Sequence, residues 1–132
     1  MLTKIINGKV ITPYRILDNG ILTIKDGIII DIGQSVEPFC EEDNQAIVIN
    51  AKGNYISPGF VDIHTHGGGG FDFMDGTPEA FWGAARMHAI HGTTSILPTT
   101  LTSSLEELIQ VITSFKEAKG KENDGAKLIG LH

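Results

Sequence analysis

An apolar, β-prone run that ends in two histidines and then four glycines leaves its backbone few options. The run is Pro58-Gly59-Phe60-Val61-Asp62-Ile63-His64-Thr65-His66, followed at once by Gly67, Gly68, Gly69 and Gly70. Its residues suit a buried strand over about 55–64. Residues two apart on a strand share a face, so His64 and His66 present two imidazoles together, roughly 7 Å apart at the backbone. That separation lets both side chains lean onto one divalent metal ion. The glycines then permit a sharp turn and leave room beside the metal for a ligand. By the same alternation Asp62 falls on that face, one step deeper. There a carboxylate either orients an imidazole or bonds a nearby backbone amide. Catalytic metal sites use three protein ligands and an open position for water, so the pair makes half of such a centre.

The segments around this run divide the chain by pattern. Up to about residue 53 the chain reads as short strands. Leu2–Asn7 and Lys9–Thr12 flank Asn7-Gly8, and Gly20–Lys25 and Ile28–Gly33 flank Asp26-Gly27; both dipeptides are hairpin signals. Residues 34–45, with Glu37, Pro38, Glu41, Glu42 and Asp43, read as an exposed acidic loop, and Ala46–Asn50 as a further strand. After Gly53 strands alternate with helices. Thr77-Pro78-Glu79 supplies an N-cap, a first-turn proline and a first-turn acid. Phe81, Ala84, Ala85 and His88 follow at helical spacing, and Gly92 ends the helix. Thr93–Pro98 is the next strand. Ser104-Leu105-Glu106-Glu107 is a capping box, with Leu105, Leu108, Ile109, Ile112 and Phe115 on one apolar face and Gly120 as the stop. Lys127–Leu131 is a third strand. Strand, helix, strand, helix, strand implies parallel pairing through right-handed crossovers.

Charge and cysteine content narrow the function. The net charge of −6 is shared equally between residues 1–50 and 51–132, with no basic patch to attract nucleic acid. No apolar run reaches membrane-spanning length, and the N-terminus has no signal-peptide pattern. Cys40 is the only cysteine, which excludes an internal disulfide and leaves an incidental thiol. A cytoplasmic protein is expected. Three parallel strands leave open sheet edges, and a closed parallel barrel takes eight strands and about 250 residues. The chain is therefore expected to be the N-terminal fragment of a longer protein.

The stretches DNGILTIKDGIIIDIG, PGFVDIHTHGGGGFDFMDG, HGTTSILPTTLTS and LIGLH together resemble the amidohydrolase superfamily. The combination of HTHGGGGFD with HGTTSILPTTLTS resembles, within it, the family of N-acetylglucosamine-6-phosphate deacetylases, over nearly all of the chain. The resemblance implies an α/β fold with a β-rich N-terminal part. Residues 1–53 would form an incomplete β-sandwich portion, and residues 54–132 the first three strands and two helices of a (β/α)8 barrel. It implies hydrolysis of the acetamido group of N-acetylglucosamine 6-phosphate to acetate and the free amine. His64 and His66 match the family's first-strand metal ligands, with zinc or iron as the divalent metal and one or two ions in the full-length enzyme. His132 matches the end of strand three beside the site, and Gly67 and Gly68 match the segment bordering the sugar pocket. The metal-binding glutamate, the later histidine ligands and the general-base aspartate would lie beyond His132. No catalytic residue is therefore assigned within the chain, which is expected to be inactive alone and a weak metal binder. The resemblance further implies an amino-sugar phosphate as the partner, no nucleic acid or membrane, and a full-length homodimer. Two alternatives stand beside this reading: a dihydroorotase-like or allantoinase-like ring opener, and a non-catalytic module that self-associates through its open sheet edges. His88 is expected to be packed or partly solvated rather than a ligand, Trp82 to pack in the core rather than anchor a subunit contact, and His91 to be a helix-terminal residue. Thr99, Thr100, Thr102 and Ser103 border either a polar substrate or the start of the next helix.

Overall fold

The computed structural model describes residues 1–35 and 46–132. Residues 36–45, with the acidic side chains of that segment and Cys40, lie outside the described residues, and Gln34 ends a strand rather than opening a loop. The chain divides into two compact units, Met1–Pro58 and Gly59–His132.

The first unit is a single mixed sheet of β1 (Leu2–Ile11), β2 (Ile16–Lys25), β3 (Ile28–Gln34), β4 (Ile47–Asn50) and β5 (Tyr55–Ile56). Its order is β3-β2-β1-β4, and β5 also pairs with β1. The Asp26-Gly27 hairpin forms as expected, with φ of 50° and 80° at the two turn residues, the doubly positive backbone of a type I′ turn. The hairpin expected at Asn7-Gly8 does not form. Asn7 has φ 56°, but it lies within the continuous β1, where the register against β2 slips between Ile5 and Gly8. A left-handed Asn-Gly step serves a bulge as well as a turn, and here it bends the strand without reversing it. Ile6, Val10, Leu17 and Leu22 form the buried apolar set of this sheet.

The second unit is built from alternating strands and helices. It contains β6 (Val61–Thr65), β7 (Gly67–Gly68), β8 (Phe71–Asp72), a 3-10 turn at Phe73–Asp75, α1 (Pro78–Ile90), β9 (Ser95–Pro98), α2 (Leu105–Lys119) and β10 (Lys127–Leu128). The three longer-range strands lie in the order β10-β9-β6, both pairings parallel. The run read as one strand over 55–64 is split. Its start is β5 in the first unit and its end is β6 in the second, with Ser57–Phe60 between them.

Both helices begin where their caps dictate. The Thr77 hydroxyl accepts the Ala80 N–H at 3.3 Å ahead of Pro78. At α2 the Ser104 hydroxyl accepts the Glu107 N–H at 3.3 Å, while the Glu107 carboxylate accepts the Ser104 N–H at 3.2 Å. Gly120 stands at the C-terminal end as expected. The core comprises Phe73, Phe81, Ala84, Ala85, Ile96, Val111, Phe115, Ala118, Ala126 and Leu128. Phe81 is its centre, stacked on Phe73 at 5.2 Å and edge-on to Phe115 at 5.7 Å between ring centroids. The apolar face expected for α2 is only partly the buried one. Val111, Phe115 and Ala118 are buried, whereas Leu105, Ile109 and Ile112 are exposed. The helix carries two apolar stripes, and the i, i+4, i+7 set at 111, 115 and 118 is the one that meets the core.

Candidate functional site

The decisive local feature is a slip in the parallel ladder between β6 and β9. Val61 pairs with Ser95 and Asp62 with Ile96, but Thr65 pairs with Pro98, so one residue is added in β6. Asp62 therefore shares a face with Ile96, which is fully buried against the helices. Its Oδ2 lies 3.7 Å from His88 Nδ1 on α1, and its Oδ1 accepts the His64 N–H at 3.1 Å. Of the two roles expected for Asp62, the structure shows the bond to a backbone amide, that of His64; only the shared face is corrected, because a bulge resets the two-residue period. Asp62 acts on His64 through its backbone amide.

The predicted histidines do come together. The rings of His64 and His66 meet edge-on with centroids 5.1 Å apart, and His132 meets His64 at 4.8 Å. The strand ends hold them there. The Thr65 N–H donates to Thr99 Oγ1 at 3.2 Å, and the Thr99 N–H returns to the Thr65 carbonyl at 2.8 Å. The His132 N–H donates to the Pro98 carbonyl at 2.9 Å, and the Thr100 N–H donates to the His132 carbonyl at 3.0 Å. Thr99 and Thr100 thus lace the strand ends together, and Ser103 hydrogen-bonds Glu107 at the start of α2.

The ring of His66 is oriented from behind. Its Nδ1 is 3.2 Å from the Thr99 carbonyl, which can only accept, so Nδ1 carries the proton and Nε2 presents a lone pair. This is the arrangement that fixes the tautomer of a metal-ligating histidine. Among the described residues, no group of three or more His, Cys, Asp or Glu side chains meets as a complete metal shell. The donor set fits two imidazole ligands of a divalent ion and lacks a carboxylate to complete it.

The glycine run forms a tight hairpin, β7 against β8, with Gly67 opposite Asp72 and Gly68 opposite Phe71. A Cβ at Gly67 would lie 2.1 Å from the Phe71 carbonyl oxygen, so only glycine allows this approach. Two contributors escape sequence reading. Thr99 is buried and supports both β6 and His66, and His88 bonds the glycine turn. Their partners lie 21 to 34 residues away, beyond any local pattern. His91 is the exposed C-cap of α1, and Trp82 packs beside the core with Nε1 donating to the Ala118 carbonyl at 3.2 Å. A cleft of about 490 Å³ lined by Trp82, Arg86, Lys121, Glu122, Asn123 and Asp124 shares no residue with the histidine cluster. Its Arg86 is committed to Asp124 and its Lys121 to Glu117.

The chain is similar to deacetylases of known sequence and structure. N-acetylglucosamine-6-phosphate deacetylase of Bacillus subtilis is 30% identical over 128 residues, covering 93% of this chain and 31% of the relative. The chain is homologous to part of the N-acetylglucosamine-6-phosphate deacetylases. N-acetylgalactosamine-6-phosphate deacetylase of Escherichia coli O157:H7 is 29% identical over 94% of this chain and 30% of the relative. The crystal structure of N-acetylglucosamine-6-phosphate deacetylase from Pasteurella multocida superposes with a TM-score of 0.80 at 26% identity, covering all of this chain and 34% of that one. No family model matches the chain. The chain thus spans about a third of the length of these deacetylases. Among the described residues no helix is long and apolar enough to cross a membrane.

Proposed function

We propose that this chain supplies the first two metal ligands of a deacetylase acting on a 6-phosphorylated N-acetylhexosamine, releasing acetate and the free amine. The observation that carries the reading is the His66 imidazole, whose Nδ1 is committed to the Thr99 carbonyl, which leaves Nε2 as its ligating nitrogen, with the ring of His64 edge-on beside it. His64 and His66 would hold the ion, with His132 at its margin and Gly67 and Gly68 bordering the sugar. A divalent ion, zinc or iron, when bound lowers the pKa of water and polarises the acetamide carbonyl. The β-rich first unit would be a portion of a β-sandwich, and the second unit the opening strands of a (β/α)8 barrel. The remaining ligand and the proton-transfer group would come from sequence that the longer relatives possess. Catalysis would then require those further groups, and the working enzyme would be a cytoplasmic homodimer.

The deacetylase relatives favour acetamide hydrolysis over ring opening. The test is acetate release from N-acetylglucosamine 6-phosphate and from its galactosamine epimer by the full-length gene product. Turnover abolished by His66→Ala supports the reading; turnover of neither sugar phosphate sinks it. A second reading, self-association of a non-catalytic module, draws on the exposure of Val61 and Ile63 on β6, at 56% and 64%. A concentration-independent monomer in light scattering would eliminate it.

A further inference from the structure

We infer that His88 is a positioning residue, a clamp that ties the glycine turn to the bulged strand and so fixes the disposition of the His64–His66 pair. The inference rests on the half-site reading above and adds a residue to it. His88 projects from α1, yet its ring reaches both sides of the histidine pair. Nε2 lies 3.0 Å from the Gly67 carbonyl and 3.3 Å from Thr65 Oγ1, and Nδ1 lies 3.7 Å from Asp62 Oδ2. The Gly67 carbonyl only accepts, so Nε2 carries a proton. The Thr65 hydroxyl donates to the same carbonyl at 3.1 Å and stays free to accept from Nε2. Asp62 in turn accepts the His64 N–H. One imidazole thereby touches residues 62, 65 and 67, which surround both proposed ligands. The ring also lies close against the turn: a Cβ at Gly68 would fall 3.1 Å from Nε2. Glycine here gives the clamp its access.

The test compares His88→Leu, which removes both nitrogens, with His88→Gln, which keeps an N–H donor near the Nε2 position. The whole 132-residue chain is used. Amide hydrogen exchange is read by NMR at residues 64–72 and at Ile96 and Leu128, and Co²⁺ affinity is read by absorption titration. In His88→Leu, amides at 64–72 should exchange about tenfold faster, the scale of one lost hydrogen bond, with Ile96 and Leu128 unchanged. Co²⁺ affinity should fall about 10- to 100-fold, as for loss of a partner that orients a ligand. His88→Gln should restore most of both. Unchanged exchange at 64–72, a loss shared equally by Ile96 and Leu128, or a folded His88→Gln no better than His88→Leu would overturn the clamp. If the wild-type chain, which lacks the remaining ligand, binds no Co²⁺, the exchange comparison alone decides the clamp, while the half-site reading is decided separately by acetate release in the His66→Ala comparison.

Discussion

The two faces of the β10-β9-β6 sheet have opposite fates. The face that carries Ile96 and Leu128 is closed by α1 and α2, and both residues are almost wholly buried. The other face carries Val61, Ile63 and Ile129, all exposed, with the histidine rings gathered at the strand ends. Both faces are apolar in sequence, so hydrophobicity alone does not separate them. What separates them is which elements the chain supplies to cover each one. Continuous apolar strands are the mark of parallel sheets buried on both sides, and here only one side has its cover. The closed face therefore carries stability, and the open face is the one bordered by the proposed metal ligands.

The largest test of that division is Phe81→Ala. Phe81 is fully buried between Phe73 and Phe115, and its truncation should cost about 3–5 kcal/mol in denaturant unfolding of the second unit. Ile63→Ala on the open face should change stability by no more than about 0.5 kcal/mol. Comparable losses at the two positions would break the comparison, because they would mean that the open face is covered in solution. A smaller effect follows at the seam between α1 and the segment leading into β10. A Cβ on Gly125 would lie 2.4 Å from the Arg86 backbone nitrogen and 2.5 Å from the Ala85 carbonyl carbon. Gly125→Ala should then cost about 1–3 kcal/mol by overpacking, seen as a lower denaturation midpoint at unchanged slope.

Much of the closed face is legible in the sequence, and less of the open one. The caps at Thr77 and Ser104, the Asp26-Gly27 turn and the alternation of strands with helices all rest on interactions within a few residues, which local patterns report. The pairing of His64 with His66 is likewise anticipated from the two-residue strand period, and the approach of His132 only from the family resemblance. The misreadings share a different cause. The turn read at Asn7 and the face read for Asp62 each fail beside a ladder slip, and a bulge is a property of two strands, invisible in either alone. Thr99 and His88 matter through partners distant in sequence. For α2 the pattern contains two apolar stripes, and only the tertiary structure selects Val111, Phe115 and Ala118 for burial.

The smallest predicted effect separates the two helices that close the buried face. The cap of α1 is the Thr77 hydroxyl, which does not titrate in the acid range, whereas α2 relies on the carboxylate of Glu107. Hydrogen bonds from the Ser103 hydroxyl, and then from the Ser104 amide and hydroxyl, hold the Glu107 carboxyl below its ordinary value of 4.5. A lowered pKa in the folded state means that the unfolded chain binds the proton more readily. The box therefore stabilises α2 fully above the ordinary glutamate range and loses that contribution as pH falls through the folded value, below about 4.5. Amides in the first turn of α2 should lose protection from hydrogen exchange across that window, ahead of those in the first turn of α1. Glu107→Gln keeps an acceptor at the same position in the box and should flatten the α2 response, leaving α1 as it was. An α2 response that persists undiminished in Glu107→Gln would assign the acid sensitivity to another group, and the contrast between the two caps would fall.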